Sequence, residues 1–149
     1  MKYLYSAALL VALCNFNAHG QQHGFGVGVL LGEPLGASFK AWLSDKTAID
    51  GGVAYSFYDE DGWQIHSDYL WHNYDLLSGN GGHMPVYYGI GGRIKFAEDT
   101  EFGVRLPVGV SYMLDRAPVD LFAEVAPILG ITPGFRFDFS VGVGARYWF

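Results

Sequence analysis

The last sixteen residues of the chain, GFRFDFSVGVGARYWF, alternate between bulky apolar side chains and charged or small ones. Successive side chains of a β-strand point to opposite faces. One face of this segment is therefore apolar from Phe135 to Phe149, whereas the other carries Arg136, Asp138 and Arg146. The pattern predicts a strand whose two faces meet different surroundings.

The same alternation recurs along the chain and predicts eight strands, at 23–31, 35–43, 48–58, 63–73, 85–96, 101–113, 119–130 and 135–149. Short segments rich in Gly, Pro, Asp and Ser separate them, except for a longer Gly-rich connection at 74–84. Pro107 and Pro127 lack a backbone donor, so we expect local bulges there. Eight strands joined by short turns predict an all-β, antiparallel up-and-down barrel, which removes the exposed sheet edges by closing.

Side-chain size indicates which face lies inside this barrel. The apolar set contains eight of the 11 Phe and five of the 10 Tyr residues, whereas many of the 21 glycines fall on the opposite face. An eight-stranded barrel is only just wide enough to be filled by side chains, so the large apolar set does not fit inside. An apolar exterior predicts a transmembrane β-barrel. A soluble lipocalin-like carrier, with its apolar face inward, is the alternative.

The N-terminus predicts export. Met1 and Lys2 precede an apolar run at 7–13, and small residues at 18 and 20 suit a signal peptidase. We therefore expect residues 1–20 to be a cleaved signal peptide and residues 21–149 to form the barrel domain. Cleavage there would remove Cys14, the single cysteine. The net charge of −6 disfavours nucleic acid as a partner.

The mature chain resembles the small eight-stranded outer-membrane barrels of Gram-negative bacteria, of the OmpA-domain and OmpX kind. Its closing Tyr147-Trp148-Phe149 is similar to their C-terminal aromatic assembly signal, with Tyr147 and Phe149 on the apolar face. The segments 32–44, 69–72 and 87–93 resemble a group of short outer-membrane proteins without assigned activity. The resemblance implies a monomer in the outer membrane, with both termini in the periplasm. The implied partners are outer-membrane lipid, lipopolysaccharide and the barrel-assembly machinery, with no specific surface partner indicated.

The inward face carries charges of both signs. The predicted ion-pair network comprises Lys40, Asp50, His66, Asp68, Arg93, Lys95, Arg105, Asp120, Glu124, Arg136, Asp138 and Arg146. Because a buried charge needs a partner, a nearly balanced set indicates a filled interior. The sequence thus favours a non-enzymatic barrel with a structural or surface-interaction role. A narrow channel and a lipid-A-modifying outer-membrane enzyme are the alternatives that remain open.

Neither a catalytic site nor a metal or other cofactor is predicted. His66 and Ser67 are adjacent, so their side chains point to opposite faces and cannot form a base–nucleophile pair. We interpret His72 and His83 as surface histidines, because two histidines without a third ligand are a weak metal signal. The turns opposite the termini predict an outward acidic rim, formed by Glu33, Asp59, Glu60, Asp61, Glu98, Asp99 and Glu101.

Overall fold

The computed structural model describes residues 24–57, 61–77 and 84–149. The predicted signal peptide, Cys14, His83 and the rim residues Asp59 and Glu60 lie outside these ranges. The strands are β1 (Phe25–Glu33), β2 (Leu35–Trp42), β3 (Thr47–Ser56), β4 (Gly62–Asn73), β5 (Val86–Phe96), β6 (Thr100–Arg105), β7 (Val108–Met113), β8 (Val119–Thr132) and β9 (Arg136–Trp148).

These strands form one antiparallel sheet that closes on itself. Each strand pairs with the next in sequence, except that β6 does not pair with β7, and β1 pairs with β9 from Gly26↔Trp148 to Glu33↔Val141. β6 and β7 follow one another between β5 and β8, so they share a single position in the ring. The result is a ring of eight hydrogen-bonded strands, compatible with a small β-barrel. The predicted all-β antiparallel fold is confirmed, and no helix in the described ranges has the length and hydropathy to cross a bilayer.

The predicted sixth strand is interrupted at Leu106-Pro107, because Pro107 has no N–H to donate. The ladder nevertheless continues across the gap. The amide of Leu106 donates to the Pro127 carbonyl at 3.0 Å, and the amide of Gly89 donates to the Pro107 carbonyl at 3.0 Å. The register is the same on both sides of the two prolines, so the expected bulges there are wrong. The register shift lies instead between Phe102 and Gly103.

The two faces of the sheet differ sharply in chemistry. Large apolar side chains cover the outer face, as in Phe137, which is 65% exposed, and Trp63, which is 58% exposed. Charged side chains fill the inner face, and Arg105 and Arg146 are each only 1% exposed. This is the reverse of the usual arrangement in a water-soluble domain, where charged residues are almost never fully buried unless paired.

The ring has two distinct ends. The end that holds Gly24 and Phe149, here the terminal end, also carries the β2–β3, β4–β5 and β7–β8 connections. The opposite end, here the far end, carries the β1–β2, β3–β4, β5–β6 and β8–β9 turns. The interior between these ends holds the residues of the predicted ion-pair network.

Candidate functional site: the charged interior of the ring

The middle of the interior is organised around Arg105, the last residue of β6. Its Nη1 lies 3.2 Å from Asp68 Oδ2 on β4, and its Nη2 lies 2.5 Å from Glu124 Oε1 on β8. The hydroxyl of Tyr87, on β5, donates to Glu124 Oε2 at 2.9 Å. Arg105 thus joins strands on opposite sides of the interior, and Tyr87 occupies the remaining acceptor of Glu124.

A second arginine, Arg146, lies nearer the terminal end. Its guanidinium is 3.3 Å from Asp120 and 3.6 Å from Asp50, and its Nε donates to Ser38 Oγ at 3.0 Å. The guanidinium carbon also lies 3.8 Å from the centre of the Phe122 ring, within the range of a cation–π contact. The planar, five-donor guanidinium suits such a multiply coordinated position better than a lysine would.

The third group lies towards the far end and contains Arg93, which is 2.8 Å from Asp138 and 3.7 Å from Glu101. Glu101 also pairs with Arg136 and is only 5% exposed. The prediction that Glu101 belongs to the acidic rim is therefore wrong. In β6 it has the same strand parity as Arg105, so its side chain points inward rather than into the turn.

Lys40 is buried without a close carboxylate contact in the described ranges. Its Nζ lies 2.7 Å from His72 Nε2 and 4.7 Å and 5.0 Å from the ring centres of Trp42 and Tyr87. His72 is 4% exposed on the inner face of β4, so its interpretation as a surface histidine is wrong. His72 alternates in phase with the inward residues of β4. The aromatic rings around Lys40 exclude water from the contact between Lys40 and His72.

Asp50, His66 and Asp68 converge on the inner face of β3 and β4. Asp50 and Asp68 are direct partners in the register, and His66 lies opposite Gly52. One ligating atom from each of the three side chains lies within 4.8 Å of the others. Glycines provide the space, because a Cβ on Gly52 would lie 2.8 Å from the His66 ring and one on Gly91 would overlap the Asp68 carboxylate.

Ser67 lies on the other face of the sheet. It is exposed, and its hydroxyl donates to the backbone carbonyl of Asp50 at 3.2 Å, whereas the neighbouring His66 is buried. The closed sheet separates the two side chains. This geometry gives His66 no route to act as a base for the Ser67 hydroxyl.

The far-end turns hold the remaining rim residues. Asp61, Glu98 and Asp99 are exposed. Glu33 is half-buried instead, and its carboxylate accepts hydrogen bonds from the Ser56 hydroxyl and the Phe57 amide. Glu33 therefore helps to close the far end of the ring, and the exposed acidic surface is smaller than the sequence predicts.

The aromatic C-terminus completes the ring at the terminal end. Tyr147 and Phe149 are 49% and 40% exposed on the outer face, with their ring centres 5.0 Å apart. The amide of Phe149 donates to the Phe25 carbonyl at 2.9 Å, which continues the β1–β9 ladder to the last residue. The predicted assembly signal thus lies on the strand pair that closes the sheet.

Comparison with known proteins identifies no relative, because no family model, curated protein or solved structure matches this chain.

Proposed function

We propose that this chain is an exported transmembrane β-barrel of a Gram-negative outer membrane, with a non-enzymatic structural or surface-interaction role. The observation that carries the proposal is the reversal of the two faces: the outer face is apolar and the inner face is charged. A protein in water would expose this apolar surface at great cost, since burial is worth roughly 25 cal/mol per Å² of apolar area. In a bilayer the same surface faces hydrocarbon, and a closed sheet leaves no strand edge unsatisfied.

Two groups of outward aromatic side chains support a membrane position. Trp71 packs with Tyr69 and Tyr88 towards the terminal end, at ring-centre distances of 4.8 Å and 6.2 Å. Trp63 packs with Tyr55 at 5.4 Å towards the far end. Eight residues along β4 separate the two tryptophans, which is about 26 Å along the strand. A strand tilt of about 40° reduces this to about 20 Å across the membrane, close to the ~25 Å apolar band of such barrels.

The filled interior favours a structural role over a conducting one. Arg105, Arg146 and Arg93 each lie between two acidic side chains along the length of the interior. The far-end cavity lined by Ser56 and Gln64 has a volume of only about 10 Å³, which is room for about one water molecule. A selectivity filter would instead favour one sign of charge around an open path.

The same interior argues against a soluble carrier. A lipocalin-like protein needs an apolar cavity for its ligand, whereas buried arginine, lysine and carboxylate side chains occupy this position here. A lipid-modifying enzyme finds no support in His66 and Ser67, since they lie on opposite faces of the sheet.

We further propose that the exposed far-end carboxylates of Asp61, Glu98 and Asp99 bind divalent cations shared with lipopolysaccharide phosphates, because Ca²⁺ and Mg²⁺ prefer oxygen ligands. In lipopolysaccharide-containing vesicles, EDTA should lower the thermal unfolding temperature of the wild type. The triple variant Asp61→Asn, Glu98→Gln and Asp99→Asn should respond less to EDTA, whereas an equal response would exclude this role.

The experiment for the main proposal is fractionation of cells followed by gel electrophoresis with and without heating. A folded outer-membrane barrel resists SDS until it is heated, so we expect a heat-dependent mobility shift in the outer-membrane fraction. A variant without the last residue, Phe149, should reach that fraction in smaller amounts if the C-terminus directs assembly. Recovery of the protein as a soluble periplasmic monomer, with no shift, would refute the proposal.

A further inference from the structure

The Asp50–His66–Asp68 cluster is not explained by the ion pairs around it. Within the described ranges, Asp50 Oδ1, His66 Nδ1 and Asp68 Oδ1 have no hydrogen-bond partner, and Asp68 Oδ2 has only the ion-pair contact with Arg105 at 3.2 Å. The three residues are only 2%, 6% and 2% exposed. Buried polar atoms are almost always hydrogen-bonded, and leaving one unsatisfied destabilises the folded protein. Three such atoms, one on each of three neighbouring side chains, indicate a missing partner.

The charges around the cluster indicate the sign of that partner. Arg105 lies closer to Glu124, at 2.5 Å, than to Asp68, at 3.2 Å. One guanidinium is thus shared between two carboxylates, and its single positive charge cannot compensate both of them.

The same holds on the other side of the cluster. Arg146 lies closer to Asp120, at 3.3 Å, than to Asp50, at 3.6 Å. Lys40 faces Asp50 in the strand register, but its Nζ contacts His72 Nε2 at 2.7 Å. Two carboxylates directly opposite one another repel. In the described part of the chain, the four carboxylates of Asp50, Asp68, Asp120 and Glu124 meet only three cations, Arg105, Arg146 and Lys40, so a local excess of one negative charge remains around the cluster.

We propose that Asp50, His66 and Asp68 bind one divalent transition-metal ion, for which Zn²⁺ is the probe. Two carboxylates neutralise its charge, and an imidazole nitrogen completes a three-ligand set of the kind that zinc accepts. Ca²⁺ and Mg²⁺ fit less well because they prefer oxygen ligands throughout. The metal would join β3 and β4 from inside the ring. The inference depends on the interior geometry and not on the membrane, so it can fail independently of the proposed function.

Metal analysis of the whole mature protein tests this site. Protein refolded with Zn²⁺ and then dialysed against metal-free buffer should retain about one zinc ion per chain. The variants His66→Gln and Asp68→Asn should lose it. His72→Gln is the matched control, since His72 is also buried on the inner face of β4 but lies outside the cluster, and this variant should retain the zinc. Absence of zinc from the wild type, or equal retention in His66→Gln, would overturn the proposal.

X-ray absorption at the zinc edge of the wild type provides a measurement that does not depend on the variants folding. We expect a shell of one imidazole nitrogen together with oxygen ligands, at about 2.0–2.2 Å. Residues 21–149 contain four of the five histidines of the sequence, so adventitious binding would give a shell with several imidazoles. Such a spectrum would overturn the assignment even if zinc were bound.

Discussion

Replacing Arg105 with methionine tests whether buried ion pairs hold the ring together. Methionine keeps most of the side-chain volume and removes the charge. Asp68 and Glu124 would then lose a guanidinium that lies 3.2 Å and 2.5 Å away. Arg105 is 1% exposed, so water cannot readily replace it. The variant therefore leaves two carboxylates buried without their cationic partner.

The size of the effect follows from these distances. Two unit charges about 3 Å apart attract by about 5 kcal/mol at an effective dielectric constant of ~20. Desolvation of the ions offsets much of this attraction in the intact pair, but removing one partner leaves the cost of desolvating the other. Such changes destabilise proteins by about 3–5 kcal/mol. With a urea m-value of about 2 kcal/mol/M, the unfolding midpoint should fall by about 1.5–2.5 M.

Urea unfolding of the refolded protein in lipid vesicles, with EDTA present to exclude metal effects, measures this midpoint. Arg116→Met is the control, since Arg116 is exposed in the β7–β8 turn and its loss should change stability by less than about 0.5 kcal/mol. Adding Asp68→Asn and Glu124→Gln to Arg105→Met should recover part of the loss, because no carboxylate then lacks a partner. An unchanged midpoint in the single variant, or a further fall in the triple variant, would refute the network.

Three further predictions concern the faces and the C-terminus. Val143→Arg, in the middle of the outer face of β9, should destabilise the protein in vesicles by about 2–4 kcal/mol, whereas Phe135→Arg at the far end should cost about 0–1 kcal/mol. Equal, small effects of the two variants on the urea midpoint would exclude a membrane-facing surface. Glu101→Gln should lower the urea midpoint because it removes the carboxylate charge that pairs with Arg93 and Arg136, whereas Glu98→Gln at the exposed turn should not. Equal midpoints for the two variants would contradict the inward position of Glu101. Phe149→Ala should reduce the amount of protein in the outer membrane while leaving the urea midpoint of the refolded protein nearly unchanged. An unaltered amount of the variant in the outer-membrane fraction, measured by immunoblot, would contradict a role of Phe149 in assembly.

The alternation of side chains was enough to predict the antiparallel all-β fold and most strand boundaries to within a few residues. The missing donor of Pro107 predicts an irregularity in the sixth strand, but the alternation could not show that the Leu106 amide and the Pro107 carbonyl keep the ladder in register without a bulge. Nor did it place the register shift, which lies at Phe102 and Gly103, where the sequence carries no proline. Such local features depend on how three neighbouring strands pack together, and the periodicity of a single strand contains no information about that packing.

The interior could be predicted as a set of inward residues but not as a set of contacts. Glu101 and His72 each lie near a strand end, where proximity to a turn suggests an exposed position although both side chains are buried. Parity alone would have placed both of them inside. The approach of Asp50 to His66 and Asp68 requires the β3–β4 register, which depends on the geometry of the intervening turn and cannot be read from either strand.

The three interior arginines explain how the ring can keep its shape with its apolar side chains outside. Arg146 on β9 reaches Asp50 on β3, Arg105 on β6 reaches Asp68 on β4, and Arg93 on β5 reaches Asp138 on β9. None of these pairs joins strands that are hydrogen-bonded neighbours.

Each arginine therefore links strands that are not neighbours in the ring, and the three arginines lie at three successive levels between the terminal end and the far end. In a water-soluble barrel an apolar core would supply this cohesion, but here the apolar residues face outward. The guanidinium is suited to the role because its planar fork can engage two carboxylates at once, which the single ammonium of lysine does less specifically. The charged side chains that fill the interior therefore also fix the cross-section of the ring.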